Sequence, residues 1–249
     1  MKKLLGIFLL FFSIGCKEQP RPSADAQKVV DKAIEASGGG HFQDSRIQFT
    51  FRDRKYVAYR ENGRRILKRI TQTDTALIED VISGASFERI VDGVPQQLAD
   101  TTRQKLSDAV NSVHYFAYLP YGLNDAAVNK AYLGEVKIGD SMYHKIQVTF
   151  DQEGGGTDFE DIFVYWFNTD THLPDYLAYE YHTNGGGMRF RKAYNERKVG
   201  GIRFVDYRNF KYEGPLPVTS LDSLYLAGDL ELLSRIALED IEVSPDSYN

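Results

Sequence analysis

Imidazole titrates closest to neutrality of all side chains and ligates metals readily, and the sequence carries five histidines. His144 alternates in register with Met142, Ile146, Val148 and Phe150, and His114 sits beside Val113 and Ala117 at helical apolar spacing. Both are therefore expected to point inward. His41, His172 and His182 fall at turns or strand ends and read as surface groups. A metal shared by His114 and His144 would need a third ligand from Asp158, Glu160 or Asp161. No His-x-x-x-His or His-Glu-x-x-His spacing occurs, so the expectation is no metal and two hydrogen-bonded core histidines.

Other catalytic groups fare no better. The single cysteine lies at position 16, which leaves the body of the chain without a thiol nucleophile, Cys-ligated zinc or an iron–sulfur cluster. Gly-x-Ser-x-Gly is absent. Lys145 alternates with His144 and is expected to face outward, where water keeps an amine protonated and non-nucleophilic. Three triple-glycine runs begin at Gly38, Gly154 and Gly185, and none fits a phosphate loop or a dinucleotide fingerprint, so all read as turns. No catalytic residue and no cofactor are assigned.

The aromatic residues and arginines are more informative. Residues 162–167, Ile-Phe-Val-Tyr-Trp-Phe, are apolar on both faces of a strand, and such a strand must be covered on both. Tyr176, Tyr179, Tyr181, Phe190 and Tyr194 lie on the strands beside it. Arg189 and Arg191 flank Phe190 and share a face, either as a clamp for a phosphate or carboxylate headgroup or as a solvated face paired with Glu180. The candidate ligand-binding residues are His114, His144, Trp166, Tyr179, Arg189, Phe190 and Arg191.

The N-terminus carries an address. Lys2 and Lys3 precede an apolar run over residues 4–14, about 16 Å as a helix and too short for a hydrocarbon core of about 30 Å. The run reads as the h-region of a signal peptide, followed by Ser13-Ile14-Gly15-Cys16. That tetrapeptide resembles a bacterial lipobox, which implies cleavage before Cys16 and acylation of the cysteine. Two or three acyl chains anchor stably where one does not. Lys17 follows in place of the aspartate that retains such proteins at the inner membrane, so the expected location is the outer membrane, lipid-anchored and facing the periplasm or the cell surface. Residues 1–15 are thus expected to be the signal peptide, 16–23 the acylated cysteine and a polar tether stiffened by Pro20 and Pro22, and 24–249 a single domain.

Periodicity then supplies the elements. Residues 24–37 repeat at helical spacing up to the glycines at 38–40, and residues 101–119 form a second amphipathic helix ended by Pro120 and Gly122. Alternation at period two marks strands at 46–52, 56–60, 64–70, 76–82 and 86–91, with Asn62-Gly63 and Asp92-Gly93 as hairpin turns. Strands resume at 131–138, 142–150, 162–167, 176–182, 188–194 and 202–212, followed by a helical segment near 221–233 and a last strand at 235–243. Strand–helix–strand alternation is missing, which argues against doubly wound folds and α/β barrels. The expected fold is α+β: a large curved antiparallel sheet of roughly 10–11 strands, with an N-terminal helix and an inserted helix on one face.

A lipobox, an N-terminal helix, a meander of wide strands and a helix inserted midway resemble the lipoprotein-carrier superfamily, the LolA/LolB-like proteins. That resemblance implies a half-barrel holding acyl chains under helices that close its concave side. The stretches Asn111-Ser112-Val113-His114-Tyr115-Phe116, Tyr165-Trp166-Phe167 and Arg189-Phe190-Arg191 resemble an uncharacterised family of Gram-negative lipoproteins of unknown function, over nearly the whole mature chain.

Composition sets the outer limits. The 249 residues are 42% hydrophobic and 26% charged, which is globular and not disordered, and the formal charge of −5 gives no basic face for nucleic acid. Three functions stay open: a non-catalytic envelope lipoprotein binding an apolar or lipid-like ligand, a scaffold lipoprotein contacting an envelope protein partner, and a hydrolase or lyase using a His–carboxylate pair. The expected partners are the membrane, through the acyl chains, and a lipid-like small molecule.

Overall fold

The computed structural model describes residues 24–246, so the leader, Cys16 and the tether lie outside the described residues. The chain opens with α1 (Ala24–Ser37), whose Ala26, Val30 and Ala33 form a fully buried stripe at helical spacing. It ends in a glycine turn where Gly38 has φ 141°, a value that side chains avoid. Six strands follow as a meander: β1 (Ser45–Phe51), β2 (Arg54–Glu61), β3 (Arg64–Gln72), β4 (Leu77–Ser83), β5 (Ser86–Val91) and β6 (Val94–Pro95). The inserted helix α2 (Asp100–Ala117) then crosses the molecule.

After α2 come β7 (Val128–Ile138), β8 (Ser141–Phe150), β9 (Ile162–Asn168), β10 (Pro174–Tyr181), β11 (Gly187–Val199) and β12 (Ile202–Tyr212). The chain closes with α3 (Leu221–Ala227), β13 (Glu231–Ile236) and β14 (Glu239–Pro245). All pairings are antiparallel, and they form two seven-stranded sheets, ordered β14-β1-β2-β3-β4-β5-β6 and β13-β12-β11-β10-β9-β8-β7. The α+β class, the antiparallel meander and both expected helices are present, and neither sheet closes into a barrel.

Fourteen strands are present among the described residues against roughly 10–11 expected, and two of the additions have local reasons. Gly228 takes a left-handed conformation and stops α3 after seven residues, so part of the segment expected to be helical is free to pair as β13 along β12. Val94–Pro95 adds a two-residue edge strand. The sheet divides between β13 and β14, where the chain passes from the edge of one sheet to the edge of the other within two residues.

Three apolar layers result. Beneath α2, Val110, Val113 and Ala117 meet Phe49, Tyr56 and Leu67 of the first sheet. Beneath α1, Ala26, Val30 and Ala33 meet Ile146, Tyr165, Phe167 and Leu177 of the second sheet. The other face of the second sheet is covered by α3 and the turn before it, where Val218 and Leu221 cap Val164, Trp166 and Phe190. The doubly apolar strand β9 is thus buried on both sides, as its pattern requires.

That second cover corrects one expectation. Lys145 does alternate away from His144, but the face it enters lies beneath α3 and is not open to water. Its Nζ donates to Asp222 Oδ2 and to the Thr219 carbonyl, both at 2.6 Å, and the same carboxylate oxygen accepts the Trp166 indole N–H at 3.1 Å. Removing one partner of a buried ion pair strands the other charge, at a cost of about 3–5 kcal/mol. Asp222→Ala is expected to destabilise the protein by about that amount in urea denaturation. Lys145→Met with Asp222→Leu, which removes both charges, is expected to recover most of the loss.

Candidate functional site

The half-buried aromatic edge of the layer between the second sheet and α2 gathers the most unusual chemistry. Tyr179 of β10 stacks on Phe163 of β9 at 5.3 Å, Tyr115 of α2 hydrogen-bonds Tyr165 at 3.0 Å, and Phe116 meets Phe51 edge to face at 5.3 Å. Into this edge β11 sends Arg189 and Arg191. The ladder pairs Tyr179 with Arg189 and Leu177 with Arg191, so both guanidiniums share the face of the aromatic layer. Glu180 pairs with Met188 and belongs to the opposite face, which leaves it unable to neutralise them.

Their hydrogen bonds go to neutral oxygens. Arg189 donates to Tyr181 Oη and to the Met188 carbonyl, each at 2.8 Å. Arg191 donates through Nη2 to Tyr179 Oη at 2.9 Å, and its guanidinium lies 5.0 Å from the Tyr179 ring centre and 5.3 Å from that of Phe116. The buried Arg191 Nε has no hydrogen-bond partner among the described residues. A buried donor without an acceptor is costly, and a carboxylate or phosphate oxygen is the acceptor a guanidinium matches best.

The same edge continues onto the first sheet through Phe51 and Tyr56, whose rings are 6.5 Å apart. Burial raises the Tyr56 hydroxyl above its ordinary pKa, while Arg69 and Arg54 beside it act the other way. Arg69 and Arg89 grip one buried carboxylate, Asp80, at 2.6–3.0 Å, leaving the row with an excess positive charge. Arg189 and Arg191 themselves make no ion pair with a carboxylate among the described residues, although the whole chain carries −5.

Residues 27–240 match a family described as a family of unknown function, DUF6503. The chain belongs to this family. No curated protein matches it significantly. Among solved structures it is similar to a LolA superfamily protein, NE2245 from Nitrosomonas europaea, at 14% identity and TM-score 0.45, covering 88% of this chain and 91% of that one. It is also similar to a DUF1329 family protein from Desulfovibrio piger, at 12% identity and TM-score 0.43, with 90% and 92% covered. LprF from Mycobacterium bovis aligns at 10% identity and TM-score 0.27, over 68% of this chain and 92% of that one.

The seven candidate residues fall in four places. Tyr179, Arg189 and Arg191 form the groove just described. Trp166 and Phe190 pack against each other at 5.5 Å on the opposite face, beneath α3. His144 is half-buried on the β7–β8 hairpin, with Nδ1 3.1 Å from Tyr132 Oη and 3.4 Å from Glu135 Oε1. His114 lies elsewhere, under α2 among Phe49 and Tyr56, so the two histidines are not brought together. No group of three His, Cys, Asp or Glu side chains is placed to hold a metal among the described residues. In the sequence Phe51 reads as an ordinary alternating strand residue. The contacts of Phe51 and Phe116 are long-range, and only the fact that neither is fully buried marks them out.

His114 has a defined protonation state. Its Nε2 is 3.1 Å from the Lys68 carbonyl, which can only accept, so Nε2 carries the proton and Nδ1 accepts from Tyr118 Oη at 3.1 Å. Burial drives its pKa from 6.5 down to about 3, keeping the ring neutral. The unfolded chain binds the proton first as pH falls, so the stabilisation is complete above pH 6.5 and drains away between 6.5 and about 3. Unfolding free energy is expected to fall there by up to about 1.4 kcal/mol per pH unit on account of this residue. His114→Gln should flatten that part of a urea stability–pH profile.

Proposed function

We propose that this protein is a non-catalytic lipoprotein of the outer membrane, anchored through acylated Cys16, and that it binds an amphipathic ligand with an anionic headgroup. The apolar part of the ligand lies along the half-buried edge formed by Phe51, Phe116, Phe163 and Tyr179, and the headgroup meets Arg191 and Arg189. The observation that carries this reading is the Arg191 guanidinium, held between Phe116 and Tyr179 with a buried Nε that no protein acceptor reaches among the described residues. The layer under the helices is filled with side chains, so the ligand occupies the groove edge and displaces Phe116 as it enters.

A second reading, a scaffold contacting an envelope protein, is favoured by the leucines exposed around α3 and the edge strand β13. Leu226, Leu232 and Leu233 are 55%, 47% and 47% exposed. Native mass spectrometry of the full-length lipoprotein, purified gently in detergent, separates the two. A stoichiometric anionic amphiphile supports the ligand reading. A clean apo mass, with protein neighbours crosslinked at Leu226→Cys or Leu233→Cys in the native envelope, supports the scaffold.

Two further outcomes are expected. Loss of a charge-assisted hydrogen bond costs about 1.5–3 kcal/mol, so Arg191→Gln is expected to weaken binding of the fluorescent fatty acid parinaric acid about tenfold or more. Its methyl ester, which lacks the anion, should bind wild type and variant alike. Labelled palmitate is expected to enter the wild-type protein in cells and to be absent from Cys16→Ala.

A further inference from the structure

Beside α2 lies a pocket of about 140 Å³ that shares Tyr115 with the aromatic edge but in which neither the arginine pair nor Phe116 takes part. It opens between α2, β3 and the turns at residues 121–128 and 150–155. Its most telling member is Arg65. The guanidinium sits 5.3 Å from the ring centres of both Tyr118 and Tyr121, held by two aromatic faces, with no hydrogen bond or ion pair to a protein acceptor among the described residues. Cation–π contacts fix the position of a guanidinium but satisfy none of its five N–H donors.

Asp125 lines the same pocket with the opposite charge and is exposed to solvent. Its carboxylate accepts no hydrogen bond from a described side chain or backbone N–H, and it stands more than 4 Å from Arg65. Burial raises its pKa, while Arg65 and Lys130 offset part of that effect at a distance. The two tyrosine rings fix the Arg65 guanidinium, which makes no ion pair with Asp125 among the described residues.

Small residues make the space. Gly122, Gly154 and Gly155 line it, and a Cβ on Gly155 would strike the Asp151 carbonyl. At about 30 Å³ per water the volume amounts to roughly five waters, too little for an acyl chain and enough for a molecule of five to eight heavy atoms. A simple anion would satisfy Arg65 and be repelled by Asp125, and a simple cation the reverse.

We propose that this pocket is a second site that binds a small zwitterion of amino-acid chemistry, its carboxylate on Arg65 and its ammonium on Asp125. Tyr118 and Tyr121 position the guanidinium, and Asn111, His114 and Tyr115 on α2 are further polar groups at the wall.

The test is isothermal titration of the full-length lipoprotein in mild detergent with each of the twenty L-amino acids, and with propionate and ethylammonium, which carry one charge each. At least one small amino acid is expected to bind one to one, with both single-charge compounds about tenfold weaker or more. Arg65→Gln and Asp125→Asn are each expected to weaken it to a similar degree, and Arg191→Gln, which belongs to the groove, to leave it unchanged. Asp125 hydrogen-bonds nothing within the protein, so Asp125→Asn should melt with the wild type, whereas Arg65→Gln gives up two cation–π contacts and should melt somewhat lower. The proposal fails if no amino acid gives heat up to about 10 mM, a Kd near −2.7 kcal/mol of binding free energy. It fails equally if propionate or ethylammonium matches the best amino acid, a comparison made on the wild type and independent of any variant's folding. Amino-acid binding lost in Arg191→Gln but kept in Arg65→Gln would also overturn it, by assigning the ligand to the groove.

Discussion

A single buried carboxylate, Asp206, sits where the two sheets meet, and the arrangement of the molecule depends on it. It accepts hydrogen bonds from Arg197 at 2.8 Å, from the Leu238 backbone N–H at 3.0 Å and from Asn195 at 2.7 Å. Those partners come from the bulge in β11 and from the linker between β13 and β14, so one side chain of β12 ties both sheet edges together. A charge buried in this way is tolerable only when fully bonded, which makes the junction geometrically demanding. From this fixed point β12 sends Ile202 and Phe204 into the layer beneath α2, and Val205 and Tyr207 into the layer beneath α1. The tip of the β11–β12 hairpin then runs so close to β14 that a Cβ on Gly200 would collide with Val243.

The orientation of β11 follows from that anchoring. With its far end held at Asp206, its near end delivers Arg189 and Arg191 to the aromatic edge, and the antiparallel register turns Glu180 away from them. Elsewhere in the second sheet the arginines find acids, as Arg203 does with Glu196 and Asp175 at 2.8 and 3.4 Å. The groove pair instead rests on tyrosine hydroxyls and ring faces, contacts that hold a cation in place without neutralising it. The charge of this pair is thus left without a carboxylate partner among the described residues.

α2 separates two environments of different character. On the groove flank the partners are aromatic and the free charge is of one sign; on the pocket flank Arg65 and Asp125 present both signs within a volume of about 140 Å³. His114, wedged between the helix and β3 by its bonds to Tyr118 and the Lys68 carbonyl, fixes the distance of α2 from the first sheet and so the width of the pocket. A neutral ring is what that position needs, since a buried imidazolium would lack a counter-charge.

Much of this was legible in the residues alone. Alternation at period two located the long strands because one face of each is buried, and helical spacing located α1 and α2 for the same reason. The same alternation already separated Phe190 from Arg189 and Arg191, and required the apolar strand at 162–167 to be covered twice. What covers each face was not legible, because a face is buried by elements distant in sequence: α3, 77 residues from Lys145, makes the Lys145–Asp222 pair, and so decides that this lysine is inside. The pocket was invisible for the same reason. Arg65, Tyr121 and Asp125 are ordinary residues at a hairpin and a turn, and only the packing of α2 between the two sheets sets one against the other. Local pattern determined the elements and their apolar faces, since those depend on neighbours in the chain; the sites were decided by tertiary structure, since a site consists of charges and rings that meet only when distant elements are packed together.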